Sequence, residues 1–110
     1  MIAGNLFAGL PVTAEAAERM ETLLARSGLR IERIVSSGQA SPAGFWYEQA
    51  DAEWVVLLSG EALLRFEDEI EARRLRAGDW LYIEPQRRHR VDWTDPAAST
   101  VWLAVHHDAG

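Results

Sequence analysis

Residues 44–60 read GFWYEQADAEWVVLLSG and residues 78–93 read GDWLYIEPQRRHRVDW, and these two stretches decide how the chain is read. In the first, Glu53 leads into an aromatic and aliphatic run, Trp54 to Leu58, that stops at Ser59 and Gly60. In the second, Gly78 opens a short run over Trp80–Ile83, Pro85 closes it, and a new run follows over His89–Trp93. Short apolar runs with turn residues every eight to twelve positions or so are the pattern of an all-β barrel or sandwich.

Working outward, the same pattern predicts strands over Leu29–Val35, Gly44–Gln49, Glu53–Ser59, Ala62–Phe66, Ile70–Leu75, Trp80–Ile83, His89–Trp93 and Thr100–His106. Gly38, Pro42, Gly60, Asp68, Gly78, Pro85 and Pro96 punctuate them, each suited to a turn for a backbone reason. Thr13–Arg26 is read as a helix instead: Thr13 is placed to cap it and Gly28 to end it. Glu15 and Glu18 favour its positive end, and Ala16, Ala17, Met20, Leu23 and Leu24 form a helical apolar stripe. The expected organisation is one domain, with residues 1–28 as an arm and helix packed on a barrel formed by residues 29–110.

Composition removes whole classes of chemistry. The 110-residue chain contains no cysteine, so disulfides, thiolate nucleophiles and thiolate metal sites are excluded. All eleven basic residues are arginine, which removes lysine Schiff bases. A net charge of −6 argues against nucleic acid as a partner. No apolar run is long enough to span a membrane and no leader is evident, so a soluble, cytoplasmic protein is expected.

The two quoted stretches resemble the two signature motifs of the cupin superfamily, usually written G-x5-H-x-H-x3,4-E-x6-G and G-x5-P-x-G-x2-H-x3-N. Glu53 and Gly60 keep the E-x6-G spacing, and Gly78 and His89 keep the family distance in the second motif. Both histidines of the first motif are absent. A three-residue spacer puts Tyr47 and Gln49 at their positions, and a four-residue spacer puts Trp46 and Glu48 there. The first alignment is preferred because Gln49 offers a carbonyl oxygen and Tyr47 a phenol. Glu84, Gln86 and Trp93 replace the second motif's proline, glycine and asparagine. The resemblance implies an all-β double-stranded β-helix (jelly-roll) barrel and a homodimer.

The resemblance also implies where a metal would sit: Gln49, Glu53 and His89, on inward faces of neighbouring strands, supply an amide oxygen, a carboxylate and an imidazole. That set suits manganese or iron, with zinc or nickel also admissible. Many barrels of this kind hold no metal, and Glu53 and His89 would then simply hydrogen-bond each other. Glu53 and Tyr47 are the candidate catalytic groups, as general base and proton donor. Trp93, Tyr82 and Arg33 are expected to line the pocket, Trp93 because alternation places it on the face of His89, and Arg33 because alternation groups it with Leu29, Ile31 and Val35. His106 is read either as a further ligand or as one of a surface pair with His107. Two functions follow: a metal-dependent enzyme (dioxygenase, isomerase or decarboxylase type) acting on a small organic molecule, or a metal-free module that binds or senses a small ligand.

Overall fold

The computed structural model describes residues 1–108 as eight antiparallel strands. They are β1 (Arg19–Arg26), β2 (Leu29–Ser36), β3 (Ala52–Ser59), β4 (Glu61–Phe66), β5 (Arg73–Arg76), β6 (Trp80–Ile83), β7 (His89–Thr94) and β8 (Thr100–His107). A five-stranded sheet in the order β1-β2-β8-β3-β6 faces a three-stranded sheet in the order β5-β4-β7. Pairing partners far apart in sequence, such as β2 with β8, give the jelly-roll its two-layer barrel.

The helix expected over Thr13–Arg26 does not form, and no helix occurs among the described residues. Its second half is β1, which pairs with β2 from Arg19↔Val35 to Arg26↔Leu29. Ser27 and Gly28 make a two-residue hairpin, with Gly28 at φ 73°, so the glycine read as a helix stop is a hairpin glycine. A ladder along eight residues of β2 outweighs helix propensities that differ by only a few tenths of a kcal/mol per residue, roughly. The expected strand Gly44–Gln49 is also reduced to one bridge, Tyr47↔His89. Gly44 at φ 77° sits in a tight turn closed by Phe45 N–H donating to the Pro42 carbonyl, which interrupts the extended backbone.

The core lies between the sheets and is built from alternate residues: Val55 and Leu57 of β3, Leu64 and Phe66 of β4, Ile83 of β6, and Trp102 and Ala104 of β8. Trp54, one residue out of phase with Val55, is on the outer face. Leu57 is only 1% exposed. Leu57→Ala is expected to lower the unfolding free energy by about 2–5 kcal/mol in urea denaturation, and a loss below about 1 kcal/mol would contradict this packing.

The outer face of the five-stranded sheet is also apolar. Tyr82, Trp54, Val105, Ile31 and Leu24 are successive cross-strand neighbours and form one row across all five strands. Trp80, Val56 and Leu103 begin a second row.

Candidate functional site

A cavity of about 70 Å³ opens between the sheets, lined by Glu18, Met20, Glu32, Ile34, Tyr47, Gln49, Glu53, Val55, Leu64, Ile83, His89, Val91, Trp102 and His106. Alternation explains its polar row. Glu53 takes the inward phase of Val55 and Leu57, and His106 that of Trp102 and Ala104. Glu53 and His106 are direct cross-strand partners, so their side chains share one face. His89 approaches from the opposite sheet in phase with Val91.

The pair Glu53 and His89 bridges the two sheets, with Oε1 of Glu53 3.9 Å from Nε2 of His89. Nδ1 of His89 is 2.9 Å from the Arg87 carbonyl. A carbonyl only accepts, so Nδ1 carries a proton, and it is Nε2 that faces the Glu53 side. Gln49 Nε2 lies 3.5 Å from Oε1 of Glu53. No described residue donates a hydrogen bond to Oε2 of Glu53, an oxygen that keeps some contact with solvent.

Tyr47 and Gln49 lie on an irregular segment that the backbone straps to β7. Tyr47 and His89 exchange N–H···O bonds of 2.7 and 3.1 Å, and Gln86 N–H donates to the Gln49 carbonyl at 2.7 Å. Gln86 adopts φ 66°, the left-handed conformation that explains why the motif prefers glycine there. From outside, the Arg90 guanidinium reaches the carbonyls of Ser41, Pro42 and Phe45 and is itself held by Asp92 at 2.7 Å. The Tyr47 ring stacks on His89 at 5.4 Å. Burial first, then the charges of Glu18 and Glu53, raise the Tyr47 phenol above its ordinary pKa, so it stays protonated through the neutral range. Alkaline titration of tyrosinate absorbance is expected to show one tyrosine ionising above pH 10, a step that disappears in Tyr47→Phe.

Deeper in the cavity, Nε2 of His106 lies 2.9 Å from Oε1 of Glu32. Arg30, outside the cavity, stands 3.4 Å from the other Glu32 oxygen. Ser36 donates to Glu18 and receives the Trp102 indole N–H.

The structure therefore brings together Tyr47, Gln49, Glu53 and His89, but not the three residues expected as pocket walls. Trp93 is turned out by a β-bulge: Leu63 faces Trp93 while Leu64 faces Val91, so Asp92 is an extra residue and Thr94 takes the inward phase. Tyr82 is 47% exposed on the outer face and stacks on His107 at 6.0 Å, because the adjacent Ile83 takes the inward phase. Arg33 is buried, but on the other side of its sheet. It pairs with Glu21 at 2.7 Å and binds the carbonyls of Leu6 and Ala8, fixing the N-terminal arm. In β2 the inward phase belongs to Glu32, Ile34 and Ser36. Sequence reasoning missed Glu32 because both faces of β2 carry aliphatic residues, and missed Glu18 because it fell in the expected helix. Of the terminal histidines, His106 faces the cavity and His107 the outside.

Gln49, Glu53 and His89 also allow a test of the metal expectation. Cis ligands about 2.1 Å from an ion stand roughly 3 Å apart and trans ligands roughly 4.2 Å, which spans the Glu53–His89 separation of 3.9 Å; Gln49 turns its amide nitrogen to Glu53 at 3.5 Å, so its oxygen would ligate only with the amide reversed. Glu53 and His89 thus fit part of a coordination shell, which a reversed Gln49 amide would extend. No three His, Asp or Glu side chains gather as a metal cluster among the described residues, so the amide is needed as the third donor.

Residues 34–106 match the sequence profile of the Cupin domain family. The structure superposes on that of a Ralstonia eutropha JMP134 protein described as a candidate mannose-6-phosphate isomerase. The two share 51% identity and a TM-score of 0.94, over 97% of this chain and 98% of the other. A cupin superfamily protein of Desulfitobacterium hafniense DCB-2 matches at 16% identity and TM-score 0.76, over 98% and 93% of the two chains. A Methanocaldococcus jannaschii RmlC-like cupin with a double-stranded β-helix fold matches at 18% identity and TM-score 0.69, over 86% and 83%. No protein of curated function matches the chain.

Proposed function

The chain belongs to the cupin domain family, and from that premise we propose that its cavity is a small-molecule site in which Gln49, Glu53 and His89 hold one divalent ion, manganese or iron in preference to zinc or nickel. The observation that carries this reading is the orientation of His89, whose ring is held through Nδ1 by the Arg87 carbonyl so that Nε2 is directed toward Glu53 across the gap between the sheets. An ion there would act as a Lewis acid on a substrate oxygen. Tyr47, kept protonated by its surroundings, supplies a proton, and Glu53 accepts one through the oxygen that no neighbour occupies. A donor and an acceptor on two sides of a small cavity suit an isomerase-type proton shift, and the 51% identical relative's description points to the same reaction class. Metal content by mass spectrometry, after separate incubation with manganese, iron, nickel and zinc, tests the proposal. About one ion per chain supports it; no ion under any condition refutes it.

A second reading, a metal-free ligand-binding module, is favoured by the shortage of ionisable donors, since no three His, Asp or Glu side chains gather as a metal cluster among the described residues. In that reading the cavity is the same and Glu53 binds ligand directly.

We further propose that the protein works as a cytoplasmic homodimer. The apolar row Tyr82–Trp54–Val105–Ile31 on the outer face supports it, because a continuous half-exposed apolar strip favours burial against a second copy. Light scattering behind size exclusion is expected to give twice the chain mass of 12.3 kDa. Trp54→Glu should return the species to the monomer mass; a monomeric wild type would sink the idea.

A further inference from the structure

We propose that the groove between the N-terminal arm and β1 is the socket for Trp80 of a second copy of this chain. The inference rests on the homodimer reading and adds which parts of the two copies meet.

The outer face of the five-stranded sheet carries unlike features at its two edges. At the β6 edge, Trp80 and Tyr82 stand 60% and 47% exposed. At the β1 edge lies a groove of about 510 Å³, lined by Ile2 and Leu6 of the arm and by Glu21, Leu23, Leu24 and Arg33 of the sheet. Ile2 is 81% exposed within one chain and Leu23 40%. Both edges belong to one cross-strand row: Trp80 faces Val56, Val56 faces Leu103, Leu103 faces Arg33, and Arg33 faces Glu21. Leu103, on the central strand β8, is the midpoint of that row.

A two-fold axis that runs parallel to the strands and passes over β8 turns the row end for end. It lays the partner's Trp80 over the groove, does the same in reverse at the other edge, and sets Leu103 against its own copy. The other axis for face-to-face packing, running across the strands, stacks β6 on β6 and arm on arm. The arm stands on the outer side of β2, tied there by Arg33 to the carbonyls of Leu6 and Ala8. Two such arms facing each other hold the sheets apart, whereas an arm laid over the partner's β6 edge clasps it. A buried indole N–H needs an acceptor, and the Glu21 carboxylate, paired with Arg33 yet still 41% exposed, offers one inside the groove. The area agrees. Five strands about 4.8 Å apart, with about 3.3 Å per residue, give a sheet face of roughly 600 Å². A standard stable interface buries about 800 Å² per partner, so the sheet alone falls short and the arm and its groove supply the rest.

Disulfide trapping tests the inference, and the absence of native cysteine makes engineered pairs report cleanly. Leu23 and Trp80 lie on opposite edges of one sheet, about 19 Å apart by strand spacing, so they cannot join within a chain. In the double variant Leu23→Cys/Trp80→Cys, mild oxidation is expected to give a disulfide-linked dimer as the main species on a non-reducing gel, and each single variant is expected to give none. A linked dimer from Trp80→Cys alone, or no link in the double variant, would overturn the inference. Ile2→Asp reads the same contact at a side chain the single chain leaves exposed. Sedimentation is expected to show its dimer dissociation constant raised about tenfold or more, and an unchanged constant also overturns the inference. A monomeric wild type refutes the homodimer and this inference with it, whereas a dimeric wild type that fails the cross-link refutes this inference alone.

Discussion

Gly60→Ala is expected to lower the unfolding free energy by roughly 3 kcal/mol or more, a drop of about 10 °C or more in melting temperature for a chain of this size. Gly60 joins β3 to β4 at φ 87°, a conformation that side-chain-bearing residues adopt only with strain. A Cβ there would lie 2.4 Å from Oγ1 of Thr100, 2.7 Å from its Cα and 2.9 Å from the Ser99 carbonyl. Two of those three contacts are backbone atoms at the start of β8, the strand that pairs with both β2 and β3. Thr100 is fully buried and has nowhere to retreat. Relief would have to come from moving β8, and with it His106 and the cavity floor. Thermal unfolding followed by circular dichroism reads the effect directly, and a melting temperature within about 2 °C of wild type would show that the turn has slack the structure denies it.

His89→Ala should abolish metal binding, with affinity falling on the order of 100-fold or more while the barrel stays folded. The imidazole is the only nitrogen ligand of the proposed set and the only contribution from the three-stranded sheet. Removing it leaves Glu53 and Gln49, two oxygen ligands and no nitrogen. His89→Gln, which keeps a polar group of similar reach, guards against a merely structural effect: it should retain more affinity than the alanine variant. His106→Ala provides the contrast, since His106 is engaged with Glu32 and is not in the proposed set. Equal metal loss in the His106 and His89 variants would move the site to the other end of the cavity.

Six of the eight expected strand positions were legible because turn residues mark them, and Gly60 and Gly78 do so for a strict steric or conformational reason, whereas Gly44–Gln49 is no strand and the expected Ile70–Leu75 strand begins only at Arg73, with Ile70 in the preceding turn and exposed. Glu53 and His89 were legible for a different one: each holds a fixed spacing from such a glycine, and the strands between keep strict alternation. Where alternation slips, the reading failed. The bulge at Asp92 reverses the phase of β7 after Val91 and sends Trp93 outward, and no residue in that run announces it. In β2 both faces are partly covered, the inner by the core and the outer by the N-terminal arm held on Arg33. The hydrophobic pattern therefore cannot say which of Glu32 and Arg33 faces the cavity. The helix error has the same root: Arg19–Arg26 is compatible with either periodicity, and only the partner strand β2 decides.

The account turns on whether Glu53 and His89 share one ion across the gap between the sheets. Crystals soaked in a manganese salt, with diffraction recorded near the manganese absorption edge, ask this of the atoms themselves. The expected result is a single anomalous peak within about 2.0–2.4 Å of His89 Nε2 and a Glu53 carboxylate oxygen, with the Gln49 amide turned to offer its oxygen. A cavity with no peak at full manganese occupancy of the medium, or a peak at Glu32 and His106 instead, would contradict it.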